Sequence, residues 1–369
     1  MTALDVTGLT VDFPRPGGRP FRAVDRVSFS LRAGRTLALV GESGSGKSTV
    51  VRALSRLVTP TDGEIRLGGA RRTRGADYRR AVQMVFQDPF ASLNPAHTIG
   101  HHLHRPLLAG GKARRGADVQ RKAEELLRSV NLTPPADVAR KRPHELSGGQ
   151  RQRVAIARAL APGPQVLLAD EPVSMLDVSI RLEILGLLDR LKDERGLALL
   201  YVTHDLATAR HFSSEVMVMY RGEIVERGPS DEVILAPRHP YTQLLASAAT
   251  GSGVSREAAR AARAARLAAR ARRDAERREI VVGDGCRFRP RCPLAVDACA
   301  RRPPEAEVGP GHRALCWLPA GAGTAGSTAG SSGGSTAGST AGSPAEGSAG
   351  STAWGTAGSS GGTERHGRD

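Results

Sequence analysis

A glycine-rich stretch is the part of the sequence best suited to chemistry. It follows an apolar run at residues 37–40 and precedes a segment with helical periodicity. Glycines after a buried strand let backbone N–H groups turn inward, and the positive end of the next helix faces the same spot, so phosphate is favoured there. Lys47 supplies a charge for the β- and γ-phosphates of a nucleotide, and the Ser48 hydroxyl can bind Mg²⁺. We therefore predict a nucleotide site, the phosphate loop, formed by Gly41, Glu42, Ser43, Gly44, Ser45, Gly46, Lys47, Ser48 and Thr49.

Polar residues end three other apolar runs of strand length: Gln87, Asp170 with Glu171, and His204. Open α/β sheets bind ligands at the carboxyl ends of their strands, so we expect these residues beside the phosphate loop. Side chains alternate along a strand, and we predict that Asp170 holds Mg²⁺ while Glu171 faces the γ-phosphate and activates water. Gln87 is expected to bind Mg²⁺ or to position water, and His204 to contact the γ-phosphate. An ordinary polar loop residue and a surface histidine are the alternatives for these two.

A second helix start has the features of an anion site. Ser147 is a suitable N-cap for a helix over residues 151–160, and Gly148 and Gly149 leave backbone N–H groups of the first turn open to a ligand. A simple helix cap does not require a double glycine followed by Gln150. We therefore predict a second phosphate contact here.

The remaining pattern predicts an α/β fold with three parts. Residues 1–35 alternate apolar and polar, which indicates antiparallel strands, and Phe13 at the end of one of them is a candidate for stacking on a nucleotide base. The apolar runs before the polar residues above predict a core sheet. Residues 88–145 change character, with helical periodicity at residues 117–130, and are interpreted as a helical insert. His101, His102 and His104 lie in this insert without partners at metal-ligand spacing, so we expect a solvated helix face there.

Composition limits the class of protein. The chain of 369 residues carries a net charge of +16, but 5 of its 53 basic residues are lysine, so the charge reflects arginine usage and is weak support for a nucleic-acid partner. No apolar run approaches the ~18 residues of a membrane helix, and residues 1–10 lack a secretion signal. The sequence predicts a soluble, cytosolic protein.

The C-terminal third changes character. A hairpin is predicted at residues 215–229. Residues 255–279 hold 9 arginines against 4 acidic residues, with arginine every three or four positions, which predicts a helix with an arginine stripe, either solvated or in contact with anionic lipid. The Gly, Ser, Thr and Ala repeats that follow cannot bury a core and are expected to be disordered.

Six motifs in family order make the chain resemble an ABC transporter ATPase over roughly residues 4–318. They are the Walker A motif at residues 41–48, the Q-loop Gln87, the signature motif at residues 146–150, the Walker B end Asp170-Glu171, the D-loop at residues 174–177 and the switch His204. Finer features resemble the ATPases of oligopeptide and dipeptide importers, including Ser92-Leu93-Asn94-Pro95 and His239-Pro240-Tyr241-Thr242. Glu171-Pro172-Val173-Ser174 is similar to the second of the two paralogous ATPases of such importers.

The resemblance implies a RecA-like P-loop ATPase core with an antiparallel β subdomain and a helical subdomain. It implies an ATPase domain at residues 1–228, with the helical subdomain at about 88–160, an importer-type extension at 229–318 and a tail at 319–369. ATP and Mg²⁺ are the implied ligands. ATP would lie between the phosphate loop of one domain and Ser147, Gly149 and the D-loop Asp177 of another, either a paralogous ATPase or a second copy.

The implied function is to power peptide uptake from the cytoplasmic face of the bacterial cell membrane. The implied partners are two transmembrane permeases and, through the complex, an extracellular solute-binding protein, with no nucleic acid. An importer of nickel or another small solute is the alternative within transport, and a soluble ABC ATPase acting on nucleic acid or ribosomes is the alternative outside it.

Four cysteines lie in the extension, at Cys286, Cys292, Cys299 and Cys316, and they lack the paired spacing of a zinc ribbon. This segment resembles the cysteine-bearing tail of peptide-importer ATPases, some of which hold an iron–sulphur cluster. A [4Fe–4S] cluster is therefore one expectation for these cysteines, with zinc and plain reduced thiols as the others.

Overall fold

The computed structural model describes residues 2–70, 75–249 and 285–318. The predicted Arg/Ala helix at 255–279 and the predicted tail at 319–369 lie outside these ranges. The described strands are β1 Thr2–Phe13, β2 Phe21–Arg32, β3 Thr36–Val40, β4 Asp62–Leu67, β5 Val82–Val85, β6 Val166–Asp170, β7 Ala198–Thr203, β8 Glu215–Tyr220, β9 Glu223–Pro229, β10 Glu305–Gly309 and β11 His312–Leu315. The described helices are α1 Lys47–Leu54, α2 Ala76–Ala81, α3 Pro89–Ser92, α4 Ile99–Ala109, α5 Ala117–Ser129, α6 Pro135–Arg140, α7 Gly148–Leu160, α8 Val178–Arg195, α9 Leu206–Phe212, α10 Ser230–Leu235 and α11 Pro240–Ala249.

The strands form two sheets in the described part of the chain. An antiparallel sheet has the order β2-β1-β4, and a larger sheet has the order β10-β11-β9-β8-β3-β7-β6-β5. In the larger sheet β8, β3, β7, β6 and β5 run parallel, while β9 is antiparallel to both β8 and β11. The parallel strands alternate with helices, as the apolar runs of the sequence predict, so their carboxyl ends lie along one edge.

The large sheet separates two hydrophobic cores. Side chains alternate along β3, so that Leu37 and Leu39 belong to one core and Ala38 and Val40 to the other. The first core also contains the inner faces of the antiparallel sheet and of α1, and the second contains the helices from α4 to α9. Because β3 is buried on both faces, the loop that follows it starts from a fixed point.

Helices α3 to α7 lie within residues 88–160. The prediction of a solvated histidine face is wrong, because His101, His102 and His104 are half-buried on α4. The His101 ring stacks on His97 with centroids 4.1 Å apart, and burial lowers the pKa of His102 and of His104. Within the described ranges, no group of three or more His, Cys, Asp or Glu residues could hold a metal ion.

The C-terminal extension joins the ATPase core by sheet extension. Strand β11 pairs with β9 at Arg313–Arg227 and Ala314–Glu226. The buried Glu226 carboxylate lies 2.7 Å from His312 Nε2 and accepts hydrogen bonds from the backbone N–H groups of Arg238 and His239. Among the residues that the structure describes, no helix has the length and apolar character needed to cross a lipid bilayer.

Candidate nucleotide site

The phosphate loop joins β3 to α1 at the carboxyl edge of the large sheet. Gly44 and Gly46 have φ angles of 81° and 111°, which favour glycine, and a Cβ on Gly41 would lie 2.2 Å from the backbone oxygen of Met219. The backbone conformation thus favours glycine at positions 44 and 46, and close packing against β8 requires it at position 41. The loop is held in one shape by the strand beside it.

Lys47 begins α1 and points back into the loop. Its Nζ donates to the backbone oxygens of Gly41 at 2.8 Å and Glu42 at 3.1 Å, and only 5% of the residue is exposed. Burial lowers the Lys47 pKa, and the carboxylates of Glu171 and Asp170 oppose that shift. A buried ammonium bonded to loop carbonyls is placed to receive anionic phosphate.

Ser48 and Asp170 meet as predicted for a Mg²⁺ site. The Ser48 hydroxyl donates to Asp170 Oδ1 at 3.2 Å. Asp170 ends β6, is 4% exposed, and has a raised pKa because burial disfavours its charge. A buried carboxylate beside a hydroxyl is a donor set of the oxygen type that Mg²⁺ prefers, so these residues fit the predicted ion.

Three residues from three strand ends come together beside this pair. Glu171 Oε2 lies 3.2 Å from His204 Nδ1 and accepts from Gln87 Nε2 at 3.4 Å. Glu171 has a φ of 47°, so the backbone turns sharply after β6. That Asp170 and Glu171 face different ways stays a prediction, while the contacts of Gln87 and His204 with one Glu171 oxygen restrict the orientation of the Glu171 side chain.

The signature segment starts α7 with a reciprocal cap. The Gln150 amide N–H donates to Ser147 Oγ at 3.3 Å, and the Ser147 N–H donates to Gln150 Oε1 at 3.0 Å. A Cβ on Gly149 would lie 2.8 Å from Ile180 Cγ2, whereas one on Gly148 would meet Leu176 at 3.7 Å. The second glycine and Gln150 both have a structural role here, contrary to the prediction that a simple helix cap does not require them. Gly149 allows close packing against Ile180, and Gln150 completes the cap. The phosphate contact at this helix start stays a prediction.

Phe13 and Asp177 are predicted to contact the nucleotide, and both roles stay predictions. Phe13 ends β1 opposite Phe21 of β2, and both rings are more than one-third exposed. Asp177 occupies the N-cap position of α8, but its side chain forms no capping hydrogen bond within the described residues.

The four cysteines are free thiols; Cys286, Cys292 and Cys299 lie on a short segment with 3₁₀ turns, and Cys316 follows β11. The Cys286 N–H donates to the Cys299 backbone oxygen at 3.0 Å. Burial raises the pKa of the thiols of Cys286, Cys292 and Cys316. Since no metal-holding group is found in the part of the chain that the structure describes, the geometry does not support a [4Fe–4S] cluster or zinc.

Sequence reasoning missed two residues of the site. Tyr241 and Arg291 both contact Glu42 of the phosphate loop, across 199 and 249 sequence positions. Tyr241 belongs to the segment His239-Pro240-Tyr241-Thr242, whose resemblance to importer ATPases was its one signal. Arg291 lies in the cysteine-bearing segment and likewise had only a family resemblance as its signal, because a contact at that separation leaves no local pattern.

Comparison with known proteins places the chain near transport ATPases. Residues 24–174 match the family model described as ABC transporter, and residues 225–299 match that of the oligopeptide/dipeptide transporter C-terminal region. A "Probable peptide ABC transporter ATP-binding protein" of Sinorhizobium fredii is 42% identical over 339 residues, covering 87% of this chain and 91% of that protein. A glutathione import ATP-binding protein of Pectobacterium atrosepticum is 47% identical over 264 residues, covering 69% of this chain and 42% of that protein.

Among solved structures, the fold is similar to that of ATP-binding cassettes. A dimeric ATP-binding cassette in a post-hydrolysis state, bound to ADP and phosphate, superimposes with a TM-score of 0.54 at 31% identity. The match covers 62% of this chain and 98% of the cassette.

Proposed function

Because the chain belongs to the ABC transporter family of ATP-binding proteins, we propose that it is the ATP-hydrolysing subunit of an importer that takes up peptides across the bacterial cytoplasmic membrane. The observation that carries this proposal is the meeting of Ser48 with Asp170, and of Glu171 with His204, beside the phosphate loop. The extension of the oligopeptide/dipeptide transporter type supports peptides as the cargo class.

The chain's own residues divide the work of phosphoryl transfer by position. Lys47 and the loop amides neutralise charge on the β- and γ-phosphates. Glu171 accepts the proton of the attacking water, and its contacts with His204 and Gln87 orient it for this step. His204 also donates toward the γ-phosphate. Ser48, Gln87 and Asp170 would hold Mg²⁺, which would supply further charge neutralisation.

The second half of each site comes from another ATPase domain. Ser147, Gly148, Gly149 and Gln150 start α7, and we propose that they and the D-loop Asp177 face the nucleotide on an opposing domain. The supporting observation is the cap of α7, whose Ser147–Gln150 pair presents the helix start as a rigid unit. The opposing domain is a paralogous ATPase or a second copy of this chain.

The proposed partners are two transmembrane permeases and, through them, an extracellular solute-binding protein, with this chain at the cytoplasmic face. Affinity purification from gently solubilised native membranes, followed by mass spectrometry, tests the proposal. Recovery of two permeases and an ATPase supports it. Recovery only from the soluble fraction with ribosomes or DNA contradicts it, and a permease set with a nickel-binding protein would contradict the peptide cargo.

The domain limits that go with this proposal are residues 1–228 for the ATPase and 229–318 for the extension. The [4Fe–4S] cluster is retained as a hypothesis for a loaded state of the extension. Purification without oxygen that yields neither iron nor a broad visible absorption band removes it, and zinc content measured on the same sample decides between metal and reduced thiols.

A further inference from the structure

The cysteine segment, defined here as residues 285–302, is anchored beside the nucleotide site by an aromatic side chain. Phe288 is 1% exposed and packs against the rings of Tyr220 and Tyr241, with centroids 5.3 and 5.5 Å away. Tyr220 ends β8 and Tyr241 lies in α11, so one side chain of the segment is held by two elements of the ATPase core. The anchor fixes the position of the charged residues next to it.

Arg291 of this segment grips the phosphate loop. Its two terminal nitrogens each lie 3.0 Å from one carboxylate oxygen of Glu42. This hydrogen bonding is the main reason that the Arg291 pKa is raised. A two-point guanidinium–carboxylate pair fixes orientation as well as distance, which a single contact does not.

Glu42 is held at its backbone as well. Its N–H donates to the hydroxyl of the buried Tyr241 at 2.9 Å, and its carbonyl accepts from Lys47 Nζ at 3.1 Å. The residue that Arg291 holds is therefore bonded directly to the lysine of the phosphate loop. Arg291, Glu42 and Lys47 form a continuous chain of polar contacts from the cysteine segment to the phosphate site.

A second arginine ties the other side of the loop. Arg287 pairs with Asp25 at 2.6 Å and donates to the Arg221 backbone oxygen. The neighbouring Gly222 N–H donates to the Ser45 backbone oxygen at 2.7 Å. Arg287 follows Cys286 and Arg291 precedes Cys292, so the two arginines that brace the loop are each bonded covalently to a cysteine residue of the segment.

We infer that Arg291 is a positioning residue for nucleotide binding, through which the cysteine segment sets the affinity of the phosphate loop for ATP. The inference rests on the proposed function, because it assumes that the loop binds ATP. Arg291 does not touch the phosphate site itself. It holds Glu42, so the carbonyl that orients Lys47 stays in place.

The test compares Arg291→Ala with Arg289→Ala in the full chain. Arg289 is exposed and lies in the same 3₁₀ turn, so its variant controls for loss of charge from the segment. Equilibrium titration with a fluorescent ATP analogue should show binding about five-fold weaker for Arg291→Ala, the scale of a partly exposed ion pair, and unchanged for Arg289→Ala. In the assembled transporter the same variant should raise KM for ATP more than it lowers kcat. Arg291→Lys keeps the charge without the two-point hydrogen bonding, so its affinity for the analogue should lie between those of the wild type and Arg291→Ala.

A double-variant cycle identifies the route. Glu42→Gln should weaken ATP binding to a similar degree. The double variant Glu42→Gln with Arg291→Ala should bind ATP no more weakly than either single variant, because both changes remove the same Arg291–Glu42 contact. Equal affinity of Arg291→Ala and Arg289→Ala, or additive losses in the double variant, would overturn the inference. If Arg291→Ala does not fold, Glu42→Gln decides: wild-type affinity in that variant overturns it. A wild-type chain that binds no ATP would overturn the proposed function instead.

Discussion

Glu171 carries the proposed chemistry, and its replacement separates binding from turnover. Glu171→Gln keeps the size of the side chain and the contact with His204 but removes the proton acceptor. We expect ATP affinity near that of the wild type and a kcat at least ~100-fold lower, the scale of losing a general base. Steady-state phosphate release by the assembled transporter and nucleotide titration measure the two quantities.

The matched control for this variant is Glu232→Gln on the exposed surface of α10. It removes one carboxylate of the same type away from the strand ends, so turnover should be unchanged. Turnover of Glu171→Gln equal to that of the control would refute the assignment of Glu171 as base.

Gly41 shows how a site residue can be fixed by packing. A Cβ at this position would lie 2.2 Å from Met219 O, which is backbone and cannot rotate away. We expect Gly41→Ala to lower the free energy of unfolding by about 1–3 kcal/mol, measured by chemical denaturation. Gly186→Ala is the contrast, because this glycine lies inside α8 with no atom within 4 Å of the added carbon. It should stabilise the fold by about 0.5–1 kcal/mol. Equal effects of the two changes would contradict this explanation.

Single residues were predictable where local chemistry determines them. Lys47, Ser48 and Asp170 lie where the sequence places them, because a glycine loop and a strand end each fix a side chain within a few residues. The histidines of α4 were not predictable in this way. Their half-burial depends on the neighbouring helices of the insert, which no local pattern of polar residues reports.

At the scale of elements, the buried His239 links α11 to β9 and gives the fold a pH dependence. His239 Nδ1 accepts from the Tyr241 N–H at 3.0 Å, and burial lowers the pKa of His239 to about 4. Above pH 6.5 the ring is neutral in both states and contributes no pH dependence. Between pH 6.5 and about 4 the unfolded chain binds a proton that the folded chain excludes, so stability falls as the pH is lowered.

His239→Asn tests this dependence, since an amide oxygen can accept the Tyr241 N–H and does not titrate. Between pH 7 and pH 5 we expect the wild type to lose about 2 kcal/mol more of its free energy of unfolding than the variant, from 1.36 kcal/mol per pKa unit. The exposed His211→Asn should keep the wild-type slope. Parallel pH profiles for the wild type and His239→Asn would contradict the prediction.

Elements with a clear period follow the sequence pattern closely. Helix α8 and strand β7 each have an apolar pattern and a polar residue at the end. The docking of residues 285–302 on the core was not predictable. It depends on Phe288, Arg287 and Arg291 meeting partners far away in the sequence, and such pairings appear only once the sheet is assembled.

At the scale of the whole molecule, the proposed site is split between two chains, and mixing of inactive variants tests the split. Glu171→Gln keeps α7 intact but lacks the base. Ser147→Arg keeps the base but blocks the start of α7 with a bulky cation. If each site combines the phosphate loop of one chain with α7 of another, both variants should be inactive alone when the chain pairs with itself. Circular dichroism and the unfolding midpoint test whether Ser147→Arg, which also loses the Ser147–Gln150 cap, is folded.

Mixed before assembly with the permeases, the two variants should regain about a quarter of wild-type turnover when the chain pairs with itself, because half of random pairs contain one complete site out of two. If the chain pairs with a paralogue, mixing restores nothing. Glu171→Gln and Ser147→Arg then inactivate different sites of the complex. The corresponding Glu→Gln and Ser→Arg variants of the paralogue likewise inactivate one site each. When the chain pairs with itself, full turnover by Ser147→Arg alone would mean that one chain builds a complete site. That result would remove the need for an opposing domain, on which the proposed coupling of ATP binding to closure of the pair depends.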